Sequence, residues 1–313
     1  MPGTPRQPLI LPPKRVMKYL KALVFVAIHL TALINVAQAE IKERRTFIPV
    51  QVTLQSGEVI KRDMELVIFE EDTAKGPRPV VIFGHGYPGT EGTAGEISVS
   101  TWVMQLAHRK AFHELVKLGF HVVMPMRIGQ GGTGGQTLEG GGCNLSSDGY
   151  AERIKNISAQ LIQTANWVKL QDFAKPDQLL LMGQSAGGSG AIGLSADAQN
   201  PFQLIVNFAA GSGSGRVPDF PCSPEAYAER LAIFGKESKM EMLWIYGLND
   251  TYWGKQWPIK WAEAYKNAGG KLEFHQVDSN TSEGHSLFRR SPEVWVPIVK
   301  AYLAKHNQLP AAN

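Results

Sequence analysis

The sequence predicts an α/β fold in which a mostly parallel sheet carries helices on both faces. From Val80 onward, short apolar runs alternate with longer amphipathic segments, the periodicity expected of repeated strand–helix units. The short runs are apolar throughout, which is typical of strands buried on both sides. The 313 residues are 43% apolar and 19% charged, a globular composition that excludes disordered, collagen-like and coiled-coil chains.

Residues 1–39 are predicted to be a leader that contains a secretory signal peptide. Basic residues precede an apolar run, 22–36, and the segment ends in Ala37-Gln38-Ala39, the small-x-small pattern that signal peptidases cleave. Met17 begins a better-proportioned signal, so residues 1–16 are interpreted as a start-site artefact. The alternative is a retained anchor, but the run is shorter than the roughly 20 residues that span a bilayer. We expect a secreted or periplasmic protein without stable membrane insertion after cleavage.

The net charge of +4 belongs to this leader. It holds five of the 32 Lys and Arg and no acid, so the rest of the chain carries 27 basic residues against 28 acidic ones. A folded part with this balance presents no basic field for nucleic acid, and no nucleic-acid partner is expected.

The chain has two cysteines, Cys143 and Cys222. Export would place them in an oxidising compartment, where a disulfide is possible, and a buried reduced pair is the alternative. Neither has a second metal ligand at short spacing, so we expect no metal site. No cofactor is implied by the sequence either.

Each element follows from its local pattern. Two alternating stretches, 47–54 and 59–69, flank Gln55-Ser56-Gly57 and predict an antiparallel hairpin at the leading edge of the sheet. Strands are expected over 80–83, 121–125, 178–182, 204–208, 240–246 and 272–277, and helices over 99–118, 150–170, 186–196, 257–267 and 292–304.

Two stretches interrupt this rhythm and are predicted to be irregular loops or lids. They are 129–149 and 211–238, and the second contains three prolines and a short helical piece. Irregular segments of this length are usually functional. With the loops included, residues 40–313 are predicted to form a single domain.

The strand over 178–182 runs into Gly183-Gln184-Ser185-Ala186-Gly187, a G-x-S-x-G pattern at a strand-to-helix turn. The flanking glycines are needed because side chains there would collide with the neighbouring strand or helix. Such a turn exposes the Ser185 hydroxyl at the carboxyl edge of the sheet. The N–H of Ala186, at the helix start, can then stabilise an oxyanion. Ser189 lies one turn inside the helix and lacks this position.

A serine hydroxyl needs a base, and three histidines follow Ser185. His275 falls within a predicted strand, where burial is expected, and His306 lies beyond the last helix. His285 lies in a polar loop between the last strand and the last helix, from which it can reach back over the sheet edge. A loop histidine is usually just solvated, but the serine pattern favours His285 as the base.

The acid that orients this base is predicted at the end of a strand between serine and histidine. Asp250 follows the strand over 240–246 and fits this position. Its alternative role is to cap the next helix. Asp278, near the end of the last strand, is the rival acid.

Upstream, the strand over 80–83 ends in Gly84-His85-Gly86-Tyr87-Pro88-Gly89. A glycine-rich loop after an early strand is where a second oxyanion donor is expected, and the Tyr87 N–H is the candidate. His85 precedes the serine and is in the wrong order for the base, so its ring is predicted to pin this loop by hydrogen bonding.

These motifs resemble serine hydrolases of the α/β-hydrolase superfamily, in the branch of dienelactone hydrolases and prolyl oligopeptidases. The resemblance covers roughly residues 46–306 and rests on HGYPG at 85–89, GQSAG at 183–187, Asp250 and His285, in the superfamily order Ser, Asp, His. Dienelactone hydrolases carry cysteine at the nucleophile, and prolyl oligopeptidases carry a propeller domain for which this chain has no room.

The resemblance implies an α/β-hydrolase fold and a serine hydrolase that cleaves small-molecule carboxylic esters through an acyl-enzyme. A peptidase or amidase would use the same three residues and is the alternative. Arg127, just past a strand, could bind a substrate carboxylate or pair with a neighbouring acid. Trp253, Trp257 and Trp261 recur every four residues and could line a pocket on one helix face, although such a stripe is more often core packing.

Overall fold

The computed structural model describes residues 41–72, 74–87, 101–139, 143–213 and 220–310. They belong to a compact unit that begins at Ile41. The predicted leader lies outside the described residues and stays a prediction.

Within the described residues, eight strands form one sheet in the order β1-β2-β4-β3-β5-β6-β7-β8. The β1–β2 and β2–β4 pairs are antiparallel and the remaining pairs are parallel. The predicted mostly parallel sheet with an antiparallel hairpin at its edge is therefore confirmed. The strands are β1 (Ile41–Thr53), β2 (Val59–Glu71), β3 (Arg78–Gly84), β4 (His121–Pro125), β5 (Ala174–Gln184), β6 (Leu204–Phe208), β7 (Glu241–Gly247) and β8 (Lys271–Val277).

Helices follow most of the parallel strands, as the strand–helix periodicity predicts. Two short 3-10 turns, Gly131–Thr133 and Gly284–Ser286, lie in the loops after β4 and β8. The α-helices are α1 (Thr101–Lys117), α2 (Ser147–Val168), α3 (Ala186–Ser195), α4 (Pro224–Glu237), α5 (Gln256–Asn267), α6 (Leu287–Arg290) and α7 (Pro292–Lys305).

The sheet separates two apolar layers because successive side chains of a strand point to opposite faces. In β3, Val80 and Ile82 join the layer that also holds residues of α2, α3, α4 and α5. Val81 and Phe83 join the opposite layer, with residues of α1, α6 and α7. Helices therefore cover both faces, as predicted.

The second irregular stretch was expected to hold only a short helical piece, and this expectation is wrong. Residues 224–237 form a regular helix of 14 residues, α4, which begins at a proline. Proline is compatible with the first turn of a helix, where the N–H has no partner within the helix. Tyr227 and Leu231, one turn apart, bury the inner face of α4.

A disulfide joins Cys143 to Cys222 and closes a loop of 79 residues. It ties the segment that precedes α2 to the segment that precedes α4. Of the residues that the structure describes, none form a helix long and apolar enough to cross a membrane.

Candidate active site

Ser185 occupies a sharp turn between β5 and α3. Its φ of 53° and ψ of −121° are rare for a residue with a side chain, a conformation that persists only where the surroundings impose it. A Cβ on Gly187 would lie 2.1 Å from the Gly84 carbonyl oxygen, and one on Gly183 would lie 2.5 Å from the Gly187 oxygen. Glycine is therefore required at both positions for α3 to pack against β3 and β5.

The loop after β3 passes beside the Ser185 hydroxyl. A Cβ built on Gly86 would lie 3.8 Å from Ser185 Oγ. This loop contains Tyr87, which is 42% exposed, whereas Ala186 is buried at the first residue of α3. The two backbone N–H groups predicted as oxyanion donors therefore belong to segments that flank the half-buried Ser185.

His285 and Asp250 form a hydrogen-bonded pair. His285 Nδ1 lies 3.0 Å from Asp250 Oδ2, and the Asp250 side chain is fully buried. The other carboxylate oxygen, Oδ1, accepts hydrogen bonds from the N–H groups of Tyr252 at 2.8 Å and Trp253 at 3.1 Å. Asp250 thus caps the following turn through one oxygen and holds the imidazole through the other.

The loop that carries His285 is fastened to the turn that carries Ser185. The side chain of Gln184 donates from Nε2 to the His285 carbonyl oxygen at 2.8 Å. The same loop contacts the loop after β7, where a Cβ on Gly284 would lie 2.6 Å from the Asp250 nitrogen. The carboxyl ends of β5, β7 and β8 therefore bring Ser185, Asp250 and His285 to one edge of the sheet.

Two aromatic rings fix the orientation of the imidazole. The ring of Tyr252 stacks on His285 with centroids 4.2 Å apart and an interplanar angle of 19°. Trp253 meets the imidazole edge-on at 5.3 Å and donates from Nε1 to the Ala209 carbonyl oxygen at 2.8 Å. The imidazole is consequently restrained by a carboxylate and by two rings.

His85 pins the loop after β3. Its Nδ1 donates to the Gly86 carbonyl oxygen at 2.6 Å, and its Nε2 accepts from the Arg127 N–H at 3.4 Å. Burial, and secondly the neighbouring Arg127 charge, hold the pKa of His85 well below its usual range. A neutral imidazole matches this pattern of one donor and one acceptor, in agreement with the loop-pinning contact expected from the sequence.

The sequence matches no protein-family model and no curated protein. Solved structures do match. An esterase of Pyrococcus furiosus superposes with a TM-score of 0.51 and 16% identity, over 83% of this chain and 90% of that chain. Est1E of Butyrivibrio proteoclasticus, with ferulic acid bound, gives a TM-score of 0.51 and 14% identity over 79% and 96% of the two chains. An acylaminoacyl peptidase of Pyrococcus horikoshii gives a TM-score of 0.50 and 15% identity, over 84% of this chain and 41% of that chain.

The chain has an α/β-hydrolase fold. Its mixed sheet, leading hairpin and flanking helices are those of this fold, as the resemblance of the motifs implies. Ser185 lies at the central strand β5, between β3 and β6 in the order of the sheet.

Within the α/β-hydrolase fold, Arg127 lies just past β4 and is completely buried. Its guanidinium pairs with Glu139 through two hydrogen bonds, one of them from Nη2 to Oε2 at 2.8 Å. The structure thus shows the neighbouring-acid role, one of the two that the sequence leaves open. A contact between Arg127 and a substrate carboxylate stays a prediction.

The tryptophan stripe is mainly core packing, the interpretation that the sequence favours. Trp253 precedes α5 and does not share a helix face with the other two, because α5 begins only at Gln256. Trp253 and Trp261 are each 1% exposed, and their rings meet edge-on at 5.6 Å. The described contacts of Trp253 support the His285 ring, and a contact with substrate stays untested.

The sequence also offered alternatives to the predicted serine, base and acid, and their described contacts are with other residues. Ser189 is buried, and its hydroxyl hydrogen-bonds that of Tyr227 at 2.8 Å. His275 was expected to be buried, which is wrong: β8 is an edge strand, and the half-exposed ring pairs with Glu273 at 3.0 Å. Asp278 is exposed and accepts a hydrogen bond from the nearby Asn280 N–H at 2.9 Å.

Sequence reasoning missed three side chains that hold the site together. Gln184 and Tyr252 contact His285 directly. Glu283 accepts a hydrogen bond from the His285 N–H. Gln184 and Tyr252 each adjoin a predicted residue in the chain, and Glu283 lies two positions before His285, but no motif marks any of the three.

Proposed function

We propose that this protein is a serine hydrolase that cleaves carboxylic esters through an acyl-enzyme intermediate. The observation that carries the proposal is the buried Asp250–His285 pair, at 3.0 Å, on loops that meet the turn of Ser185. A hydroxyl at a strained turn, an imidazole and a carboxylate held by N–H donors are the three groups needed for nucleophilic acyl transfer.

In the proposed reaction, Ser185 Oγ attacks the ester carbonyl carbon and its proton passes to Nε2 of His285. The resulting oxyanion is stabilised by the N–H groups of Ala186 and Tyr87. When the tetrahedral intermediate collapses, the bond to the alcohol breaks and the alcohol takes the proton from His285. Water, activated by the same imidazole, then attacks the acyl-enzyme and releases the acid and free Ser185.

Asp250 suits the role of the orienting acid. Its Oδ1 is occupied by two backbone N–H groups, so only Oδ2 remains for the imidazole. This arrangement keeps the proton on Nδ1 and leaves Nε2 free to accept from the serine. It also stabilises the imidazolium that forms in the transition state.

An ester is preferred as the substrate because two of the three reported neighbours are named as esterases or carry a hydroxycinnamic acid. The third is named as an acylaminoacyl peptidase, and an amidase would use the same residues. Matched p-nitrophenyl esters and p-nitroanilides of the same acyl group separate these activities, and we expect kcat/KM to be higher for the ester.

The test of the proposal is a set of three variants. Ser185→Ala is expected to lose about 10⁶-fold in kcat on p-nitrophenyl esters and to lose labelling by a fluorophosphonate. Asp250→Asn is expected to lose about 10⁴-fold, because the amide favours the wrong imidazole tautomer. The matched control is Asp278→Asn. It removes the carboxylate of the rival acid and is expected to keep wild-type activity. Wild-type turnover by Ser185→Ala would end the proposal.

We also propose that the protein works outside the cytoplasm, in the periplasm or as a secreted enzyme. The Cys143–Cys222 disulfide supports this location, since such bonds persist in oxidising compartments. N-terminal sequencing of the exported protein is expected to begin at Glu40, and a protein that keeps residues 1–39 in the cytoplasm would contradict the proposal.

A further inference from the structure

We propose that Glu283 is a positioning residue for His285, and that its carboxylate holds the base in place and sets a negative charge beside it. This inference rests on the proposed function and adds to it a residue that the three-residue mechanism does not include. The described hydrogen bonds of Glu283 are with Thr251 and His285, and none of them is with Ser185.

The Glu283 carboxylate bridges the two loops that carry the acid and the base. Oε1 accepts from the His285 N–H at 2.8 Å and from the Thr251 N–H at 3.1 Å. Oε2 accepts from the Thr251 hydroxyl. Thr251 follows Asp250 directly in the chain, so one carboxylate fixes the separation between the backbones beside Asp250 and at His285.

The hydrogen bonds hold this carboxylate in its charged form. Burial by itself raises the pKa of Glu283, but the hydrogen bonds from Thr251 and from the His285 N–H outweigh it, so that the pKa lies below its usual value. The His285 charge contributes in the same direction. The Glu283 carboxylate is therefore a negative charge next to His285.

Other titratable groups face this pair and must be held constant in a test. Asp250 and Tyr252 approach His285 from the loop after β7. Arg289, on α6, interacts electrostatically with both Glu283 and Tyr252. Substitution of Glu283 alone leaves these three groups in place, so a change in the pH profile can be assigned to the lost carboxylate.

The loop should keep its fold without Glu283, because Asn249 joins the same two loops independently. Its Nδ2 donates to the Thr281 carbonyl oxygen at 2.6 Å, and its own carbonyl oxygen accepts from the Gly284 N–H at 3.1 Å. Its Oδ1 accepts from the Ser279 hydroxyl at 2.8 Å. These bonds anchor residues 279–284, whereas the carboxylate bond to the His285 N–H reaches the base itself.

Two variants separate the bridge from the charge. Glu283→Ala removes both, and we expect kcat to fall about 10- to 100-fold with KM within about twofold of wild type, since the loss is one of alignment. Glu283→Gln keeps an oxygen acceptor for both N–H groups, and we expect it to restore kcat to within about threefold of wild type. The acid limb of its kcat/KM profile should move toward lower pH, because the neighbouring negative charge is gone.

Glu293→Gln is the matched control. Glu293 is an exposed carboxylate on α7 that pairs with Lys110 at 3.3 Å, so its loss should change neither kcat nor the pH profile. An unchanged kcat in Glu283→Ala would overturn the inference, as would a Glu283→Gln variant that fails to restore kcat or keeps the wild-type acid limb. If Glu283→Ala does not fold, the pH profile of Glu283→Gln decides alone. Failure of the proposed function is distinct, since it would show as wild-type turnover by Ser185→Ala.

Discussion

The buried histidine of α1 predicts a specific loss of stability in mild acid. His108 is 4% exposed, and its Nδ1 donates to the Met104 carbonyl oxygen at 2.8 Å. Burial lowers the pKa of His108 from 6.5 to about 4. Between these values the unfolded chain binds a proton that the folded protein excludes, so the free energy of unfolding falls as the pH drops below 6.5. A pKa shift of this size lowers the free energy of unfolding by about 2 kcal/mol between pH 8 and pH 5.

The assay is urea unfolding of the wild type and of His108→Phe at pH 8, 6.5 and 5. Phenylalanine keeps the ring that stacks on Phe112 with centroids 5.6 Å apart, but it cannot titrate. We expect the variant to lose about 2 kcal/mol less than the wild type over this range. His85 and His121, whose pKa values burial also lowers, should leave a residual slope of the same sign. Identical slopes in the two proteins would refute the reasoning.

Two further predictions concern the segments around the site. Glu139→Gln leaves the Arg127 guanidinium buried without its carboxylate and should cost about 3–5 kcal/mol in urea unfolding. Asp148→Asn breaks only an exposed pair and should cost less than about 1 kcal/mol, so equal effects would contradict the role of burial. Replacing Cys143 and Cys222 by serine should lower the free energy of unfolding by about 4 kcal/mol, because the disulfide closes a 79-residue loop. Addition of a reductant should then destabilise the wild type but not the variant.

Most of the fold could be predicted from the sequence, because the parallel strands are recognisable from their local pattern of apolar residues. The predicted strand over 204–208 coincides with β6, and the predicted strand over 272–277 differs from β8 by one residue. The run over 204–208 is buried along its whole length and bounded by loop residues, so neighbouring structure has little influence on it. The helix α4 was not predicted at its full length. Nearby prolines and Cys222 obscured its periodicity, in which Tyr227 and Leu231 pack inward.

The candidate site was predictable to the extent that its residues end strands. The G-x-S-x-G pattern located the turn of Ser185, and strand ends located Asp250 and the loop of His285. The parts that escaped prediction are contacts between loops. Gln184 reaches a carbonyl oxygen 101 residues away in the chain, and Glu283 reaches Thr251 across 32 residues. Spacing cannot reveal these bonds, because they exist only after the sheet has set the distance between the loops.

The strand order explains why the segment after β6 consists of small residues. Parallel neighbours lie about 4.8 Å apart, so β5 and β7 are separated by roughly 10 Å, with β6 between them. In the proposed mechanism, Asp250 and His285 therefore act on Ser185 across the end of β6. That end continues as Ala209, Ala210 and Gly211, and a Cβ on Gly211 would lie 2.5 Å from the Trp253 ring. Because Trp253 packs on His285, any larger side chain at 211 would displace the ring that supports the proposed base. The contact of Trp253 with the proposed base thus requires a glycine at 211.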